Sequence, residues 1–268
     1  TGVLKNKFLI KFSFILEQFI YNRARLINVL TPAFRENLEL IKNIPKNKII
    51  FIPNAADFTI SEKILKNISF NANEFKKELG LQDNFVITYV GAHGVANHLI
   101  QLIDAAEKLQ GTNIMFQLIG NGMEKDFLKN EVKKRNLKNI VFRDPVSKSE
   151  VFKYIMASDV GASVLKNVET FKTIYSNKTF DYMSCKKPVL LAIDGVSRDL
   201  IKSARCGFFA QPEDSSAIAN ISLKMSNLKI ADLKQLGLNG YIYAKENFDR
   251  GDLANKYLNE LKKVLSDK

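Results

Sequence analysis

Six short β-rich apolar runs, at 85–91, 113–120, 139–145, 159–165, 188–193 and 207–211, recur along the chain, and most of the intervals between them carry helical patterning. Strands that alternate with helices cross over and run parallel, so the pattern predicts an α/β fold with a doubly wound parallel sheet. In such sheets ligands bind at the carboxyl ends of the strands, where loops lead into helix amino termini. Those loops are the places to search for chemistry.

A chain of 268 residues with 46% apolar residues can bury one sizeable core and part of a second. It opens on Thr1, and the opening segment reads like the middle of a domain, so upstream sequence is expected. The formal net charge is +12, and the first fifty residues carry nine Lys or Arg against three Glu. That asymmetry points to an anionic partner nearby, or else to a solvated lysine-rich surface. Cys185 and Cys206 lack metal-ligand spacing and no signal peptide is recognisable, which predicts a reducing cytoplasm, no disulfide framework and no metal.

Phe8, Phe12, Ile15 and Phe19 recur at helical spacing among Lys7, Lys11, Arg23 and Arg25. Charges interrupt the stretch too often for a spanning helix. It reads as a basic amphipathic helix whose apolar face packs into a core or lies among anionic headgroups. The run Lys-Ile-Ile-Phe-Ile-Pro-Asn from Lys48 predicts a short buried strand, and the polar stretch with Ser61, Glu62 and Lys63 marks a domain boundary. The resulting division is 1–60, the end of an N-terminal domain with its linker, then 61–245, the Rossmann-like unit, then 246–268, a helical arm. Within 231–268 two helical patterns meet near Phe248, Asp249, Arg250 and Gly251.

The first run ends in Tyr-Val-Gly-Ala-His-Gly, which places Gly91, His93 and Gly94 in a turn before a helix expected near Asn97. Small residues let a ligand approach the backbone, and free amides at a helix start attract phosphate. His93 either hydrogen-bonds a phosphate or sugar or caps the turn. The second run ends in Leu-Ile-Gly-Asn-Gly, so Gly120, Asn121 and Gly122 form another tight loop, with Glu124 in the first turn of the next helix. After the third, Ser147 and Glu150 suit a capping box, and Arg143 lies at the same sheet edge, where an ion pair with Asp144 is its plain role. Farther on, Ser176 is placed to cap a helix carrying Lys178 and Asp181, with Phe180 and Met183 toward the core. Helix-start amides with a lysine suit a diphosphate, and a carboxylate one turn later suits ribose hydroxyls. The bland reading of Lys178 and Asp181 is a surface ion pair.

The order Gly-Ala-His-Gly, Leu-Ile-Gly-Asn-Gly-Met-Glu, Val-Phe-Arg-Asp-Pro-Val, Ala-Ser-Asp-Val-Gly, Ser-Asn-Lys-Thr-Phe-Asp-Tyr-Met and Lys-Lys-Pro-Val resembles the carboxy-terminal domain of family-4 glycosyltransferases. It is most similar to the bacterial branch that transfers N-acetylated amino sugars in surface-polysaccharide assembly. The likeness extends back to Leu-Thr-Pro-Ala-Phe from Leu30 and Ile-Pro-Asn-Ala-Ala-Asp from Ile52, and forward to Glu-Asn-Phe-Asp-Arg from Glu246. It implies a GT-B fold and a retaining, metal-independent transferase that needs no cofactor. Its second domain holds a nucleoside-diphosphate sugar, expected to be a UDP-sugar. The acceptor, a saccharide or a polyprenyl-linked one, is bound mainly by the first domain. By position the resemblance sets Gly91 and Gly94 against the diphosphate, Arg143 and Val146 beside the base, Lys178 on the phosphates and Asp181 on the ribose. The family's arginine and lysine after the first strand fall at Ala92 and Asn97, and the first glutamate of its paired motif falls at Thr173, with Glu169 four residues earlier.

Two other readings stand beside it. A sugar-nucleotide epimerase of GT-B fold also sets a nucleoside diphosphate against its second domain. A non-catalytic module for membrane or nucleic acid would draw on the +12 charge and would need basic residues interleaved with exposed aromatics along one face, whereas the carboxy-terminal half shows an alternating α/β pattern with small-residue loops, so nucleic acid is not expected. The basic amino-terminal helix fits a cytoplasmic protein held peripherally at the inner face of the membrane.

Overall fold

The computed structural model describes residues 6–67 and 70–266. The chain opens with α1 (Lys7–Arg23), β1 (Ile27–Val29), α2 (Pro32–Glu36) and β2 (Ile49–Phe51), and β1 and β2 pair in parallel. Val29, Leu38, Ile44 and Ile49 form a small core there. The larger unit follows as α3 (Phe58–Leu65), α4 (Ala72–Glu78), β3 (Phe85–Val90), α5 (Ile100–Lys108), β4 (Ile114–Ile119), α6 (Lys125–Lys134) and β5 (Ile140–Arg143). It continues through α7 (Lys148–Ala157), β6 (Val160–Val164), α8 (Asn177–Ser184), β7 (Val189–Ala192), α9 (Val196–Ala204), β8 (Gly207–Phe209) and α10 (Ser215–Ser226). Two long helices, α11 (Ile230–Phe248) and α12 (Arg250–Ser266), close it, with the break at Asp249.

All six expected runs are strands, and they form one parallel sheet in the order β5-β4-β3-β6-β7-β8. One face is covered by α5, α6 and α10 through Leu102, Ile103, Leu128 and Ile218, the other by α3, α7, α8, α9 and α11 through Phe58, Phe152, Phe180, Leu200 and Phe248. Large side chains buried on both faces hold the sheet between two helix layers, as the doubly wound pattern requires.

The basic helix forms as α1, and none of its residues is buried against the described part of the chain. Its side bearing Tyr21 rests on the small core, and Glu17 pairs with Lys42, while Phe8, Phe12, Ile15 and Phe19 face outward. The polar stretch at Ser61, Glu62 and Lys63 is helical, because Phe58 and Ile64 of α3 bury themselves in the larger unit. The helix after β3 starts at Ile100 rather than near Asn97, since residues 94–97 first close a turn (Asn97 N–H to Gly94 O, 2.9 Å) and His98 adopts φ 48°.

Candidate functional site

The chain winds from β3 outward to β5, then returns to β6 and winds the other way to β8, so the carboxyl ends of the adjacent strands β3 and β6 form the topological switch point. The loop after β3 and the amino terminus of α8, which follows β6, meet there. Lys178 is the link. Its Nζ lies 4.9 Å from the centre of the Tyr89 ring and 3.5 Å from both Asn97 Oδ1 and Ser176 Oγ. A Cβ on Gly91 would come 3.2 Å from Lys178 Cε, so the absence of a side chain there leaves the lysine its place. Burial lowers the Lys178 pKa to about 8, because ring and backbone replace water around the ammonium. Ser176 occupies the cap position of α8, yet its hydroxyl caps no backbone amide and lies toward Lys178 instead. Lys178 and Asp181 do not pair with each other. Asp181 is bound by Lys148 (3.1 Å), and burial raises its pKa against the opposing pull of Lys148.

The two glycine loops stack on one another. Gly120 and Gly122 have φ of +144° and +159°, and a Cβ on Gly120 would overlap the carbonyl oxygen of Gly91, while one on Gly122 would come 2.5 Å from that of His93. These two glycines therefore admit the neighbouring loop rather than a ligand. Asn121 O accepts from His93 N–H (2.9 Å) and Glu124 N–H donates to His93 O (2.9 Å), which fastens the pair. Glu124 takes the cap position of α6 rather than its first turn. Gly94 has nothing within 4 Å of a Cβ, so its backbone borders open space in the turn whose Asn97 meets Lys178. His93 is wholly buried between Tyr89 and Phe142, and neither ring nitrogen finds a hydrogen-bond partner among the described residues. Burial, with Lys125 and Lys129 nearby, lowers its pKa to about 4 and keeps it neutral. It neither caps the turn through its side chain nor reaches the open cleft.

At the end of β5, Arg143 turns back under the sheet edge. It donates to Gln117 Oε1 (2.5 Å), lies over Tyr154 and joins a chain of hydrogen bonds from Gln117 to Thr88 and from Thr88 to Ser158. The plain pairing with Asp144 is not made, because Lys125 takes that carboxylate (2.8 Å) along with the carbonyls of Gly120 and Arg143. Val146 stays half-buried in the following loop, and Ser147 caps α7 by accepting from Glu150 N–H (3.3 Å). Thr173 ends a short 3-10 turn, and its carbonyl accepts from Thr31 Oγ1 (2.7 Å), which ties the first unit to the site. Glu169 is exposed and held by Lys172 (2.6 Å). A cleft of about 700 Å³ opens beside it, lined by Tyr21, Val29, Phe34, Glu169, Thr170 and Thr173.

The structure thus brings together Gly91, Gly94, Ser176 and Lys178, sets Gly120, Asn121, Gly122 and His93 behind them as support, and holds Arg143 in the sheet-edge network. Tyr89, Lys125 and Lys148 complete the arrangement together with Asn97, which stands where the resemblance sets a lysine. Tyr89, Lys125 and Lys148 each stand within two residues of a recognised position, but nothing in the sequence alone shows that they turn toward the site. Among the described residues no group of three or more His, Cys, Asp or Glu is arranged to hold a metal.

The Anabaena HepE structure in complex with UDP and glucose matches with TM-score 0.79 and 18% identity over 93% of this chain and 66% of that one. A glycosyltransferase from Rickettsia africae matches with TM-score 0.80 and 15% identity over 94% and 67%. The sucrose-phosphate synthase of Thermosynechococcus elongatus matches with TM-score 0.78 and 16% identity over 99% and 65%. This chain spans about two thirds of the length of these structures, and they show the GT-B type of fold. No curated protein matches it in sequence. A family model, described as glycosyl transferases group 1, matches residues 71–242, and the chain belongs to that family.

Proposed function

We propose that this chain forms the donor-binding part of a retaining glycosyltransferase that moves a sugar from a UDP-sugar to a saccharide or lipid-linked acceptor in surface-polysaccharide synthesis. The observation that carries this reading is the meeting of Lys178, the uncapped amino terminus of α8 and the open backbone of Gly94 at the switch point. The UDP and UDP-glucose in the HepE complexes support a uridine nucleotide as the donor's carrier. The resemblance of the ordered motifs as a whole to the amino-sugar branch supports an N-acetylated sugar.

As the glycosidic bond to the nucleotide breaks, negative charge gathers on the departing diphosphate. Amides at the start of α8 and the Lys178 ammonium are preorganised to receive it, in a site already partly stripped of water. Asp181 accepts the ribose hydroxyls once Lys148 swings from it toward the phosphates. The acceptor enters by the cleft between Phe34 and Thr173. In this reading residues 1–60 contribute the acceptor side, 61–245 the donor side and 246–268 the arm. The outward face of α1, with Phe8, Phe12, Ile15 and Phe19 beside Lys11 and Arg23, supports peripheral attachment to an anionic membrane, although no described helix is long and apolar enough to cross one.

Calorimetric titration with UDP, UDP-N-acetylglucosamine and GDP tests the proposal. Saturable UDP-selective binding that Lys178→Ala weakens is expected. A folded chain that ignores all three nucleotides, also when extended to the length of its structural relatives, overturns it.

A further inference from the structure

A second hollow, of about 420 Å³, lies at the opposite end of the sheet from Lys178. Its floor is Phe85, Asp159 and Pro188, which stand at the amino ends of β3, β6 and β7. Its walls are Lys186 and Lys187 after α8, Ser226 at the end of α10 and Leu228 after it, and Ile230, Leu233 and Lys234 in the first turns of α11. The packing that shapes it is specific. Gly237 of α11 sits against the Lys186 carbonyl, where any Cβ would overlap that oxygen, so the start of α11 is drawn onto the turn that carries Lys187.

The charges in this hollow do not balance. Two further ammonium groups, Lys234 in the wall and Lys76 behind it, act on Lys187, against one carboxylate, Asp159. That carboxylate is already engaged, by Lys76 (2.7 Å) and by Val86 N–H (2.7 Å). The Lys187 ammonium makes no hydrogen bond or ion pair among the described residues, and burial, aided by Lys76 and Lys234 against the pull of Asp159, lowers its pKa. Lys186 lies over the Tyr241 ring at the rim, and Asp232 is exposed on the outer side of the first turn of α11. A partly desolvated ammonium without an acceptor is a standing cost, which a bound anion would remove. The first turn of α11 adds free amides, because Lys229 at its cap position supplies no side-chain acceptor.

We propose that this hollow is a second binding site, for a small phosphate-bearing molecule, with Lys187 and Lys234 as its cationic ligands and the apolar wall of Phe85, Leu228 and Leu233 against the rest of the ligand. Its distance from the switch point makes it a site apart from the one that would hold a donor diphosphate, and it does not rest on the transferase reading. From there a ligand would act on the amino ends of β3 and β6, whose carboxyl ends carry the Gly91 loop and the segment leading to Lys178.

The test is calorimetry with inorganic pyrophosphate on the Lys178→Ala chain, which removes the cation of the front site, and on the same chain with Lys187→Gln or Lys234→Gln added. Lys234 is exposed, so its substitution leaves the fold intact. Saturable binding is expected in the first, weakened about tenfold by either added change, as the loss of one charge-assisted bond implies. Flotation of the same variants with phosphatidic-acid vesicles separates a lipid headgroup from a soluble phosphate, since only the former makes flotation depend on Lys187 and Lys234. If neither pyrophosphate binding nor flotation responds to these two lysines, the site does not exist.

Discussion

The ammonium of Lys178 stands 4.9 Å above the ring of Tyr89, and the Tyr89 hydroxyl donates to the carbonyl of Ala92 (2.8 Å), so the aromatic ring braces both the lysine and the loop that faces it. The ring supplies a cation–π contact but no counter-charge, and the carboxylate three residues on, Asp181, is occupied by Lys148. Lys178 is therefore held in place without being spent on an internal ion pair. Lys178→Met should weaken UDP by about ten- to a hundredfold, the range for losing a charge-assisted hydrogen bond, with the unfolding midpoint little changed.

The same residue gives a pH signature. With a folded pKa of about 8 against a usual 10.5, Lys178 is charged below pH 8 and neutral above it in the free chain. UDP binding should fall as pH rises through 8, by about tenfold at pH 9, where some nine-tenths of the lysine has lost its proton. Stability moves the other way. The unfolded chain holds more protons on this group between pH 8 and 10.5, so the lysine's contribution makes folding more favourable as pH rises across that window. UDP titrations from pH 7 to 9 and urea unfolding from pH 8 to 10.5 on the parent and Lys178→Met chains check the two, and equal slopes in both chains would sink the assignment.

His93 was the residue most open to two readings in the sequence, and its buried place supports neither direct phosphate contact nor a capping role. With a folded pKa of about 4 against 6.5 unfolded, it stays neutral in the fold and is charged in the unfolded chain as pH falls below 6.5. The stability it permits is present above pH 6.5 and is lost as pH falls toward 4, by on the order of 3 kcal/mol at the acid end. His93→Leu removes two unpartnered nitrogens, so it should flatten the pH 4–6.5 stability profile by urea unfolding while UDP affinity stays within about twofold. A tenfold loss of UDP affinity in that variant would restore a ligand-contact role.

Much of the fold was legible because strand and helix patterning are properties of single segments. The six runs, the two terminal helices and the inward faces of Phe180 and Met183 needed no long-range knowledge. What was not legible depends on pairs of segments. Nothing near Gly120 in the chain shows that its missing side chain makes room for Gly91, nor does the Arg143 segment show that Lys125 will claim Asp144 and leave the guanidinium to Gln117. Lys148, thirty-three positions before Asp181, could be tied to it only by the crossover that sets the start of α7 beside α8.

Such pairwise packing also makes Gly120 and Gly161 sensitive positions. A Cβ at Gly161 in β6 would overlap the Tyr182 ring, whose hydroxyl donates to Ala162 O (3.0 Å) and accepts from Val90 N–H (3.1 Å) across the switch point. Gly161→Ala should therefore cost about 1–3 kcal/mol by overpacking, and it should weaken UDP as well, since Tyr182 is one turn from Lys178 on α8. Gly120→Ala should cost at least as much, because strain at φ +144° adds to the overlap with Gly91. Urea unfolding of both variants checks the order, and unchanged midpoints would mean the two contacts relax freely.

The outward face of α1 makes the last prediction. Phe8, Leu9, Phe12, Ile15, Leu16, Phe19 and Ile20 are all exposed, and helical spacing gathers them on one broad stripe with Lys11 along one edge and Arg23 stacked on Phe19. The single acidic residue of the helix, Glu17, points to the opposite side and is paired with Lys42. A face with this breadth of apolar surface and basic flanks suits an anionic interface, where burial supplies most of the affinity and the charges supply the choice of lipid. The chain should float with vesicles containing phosphatidylglycerol at low salt and less so at 0.5 M salt, where the Debye length falls to roughly 4 Å. Phe12→Ser with Phe19→Ser should abolish flotation at either salt and leave UDP binding unchanged. Flotation indifferent to that pair would show that the charge of the rest of the chain, not α1, holds the vesicles.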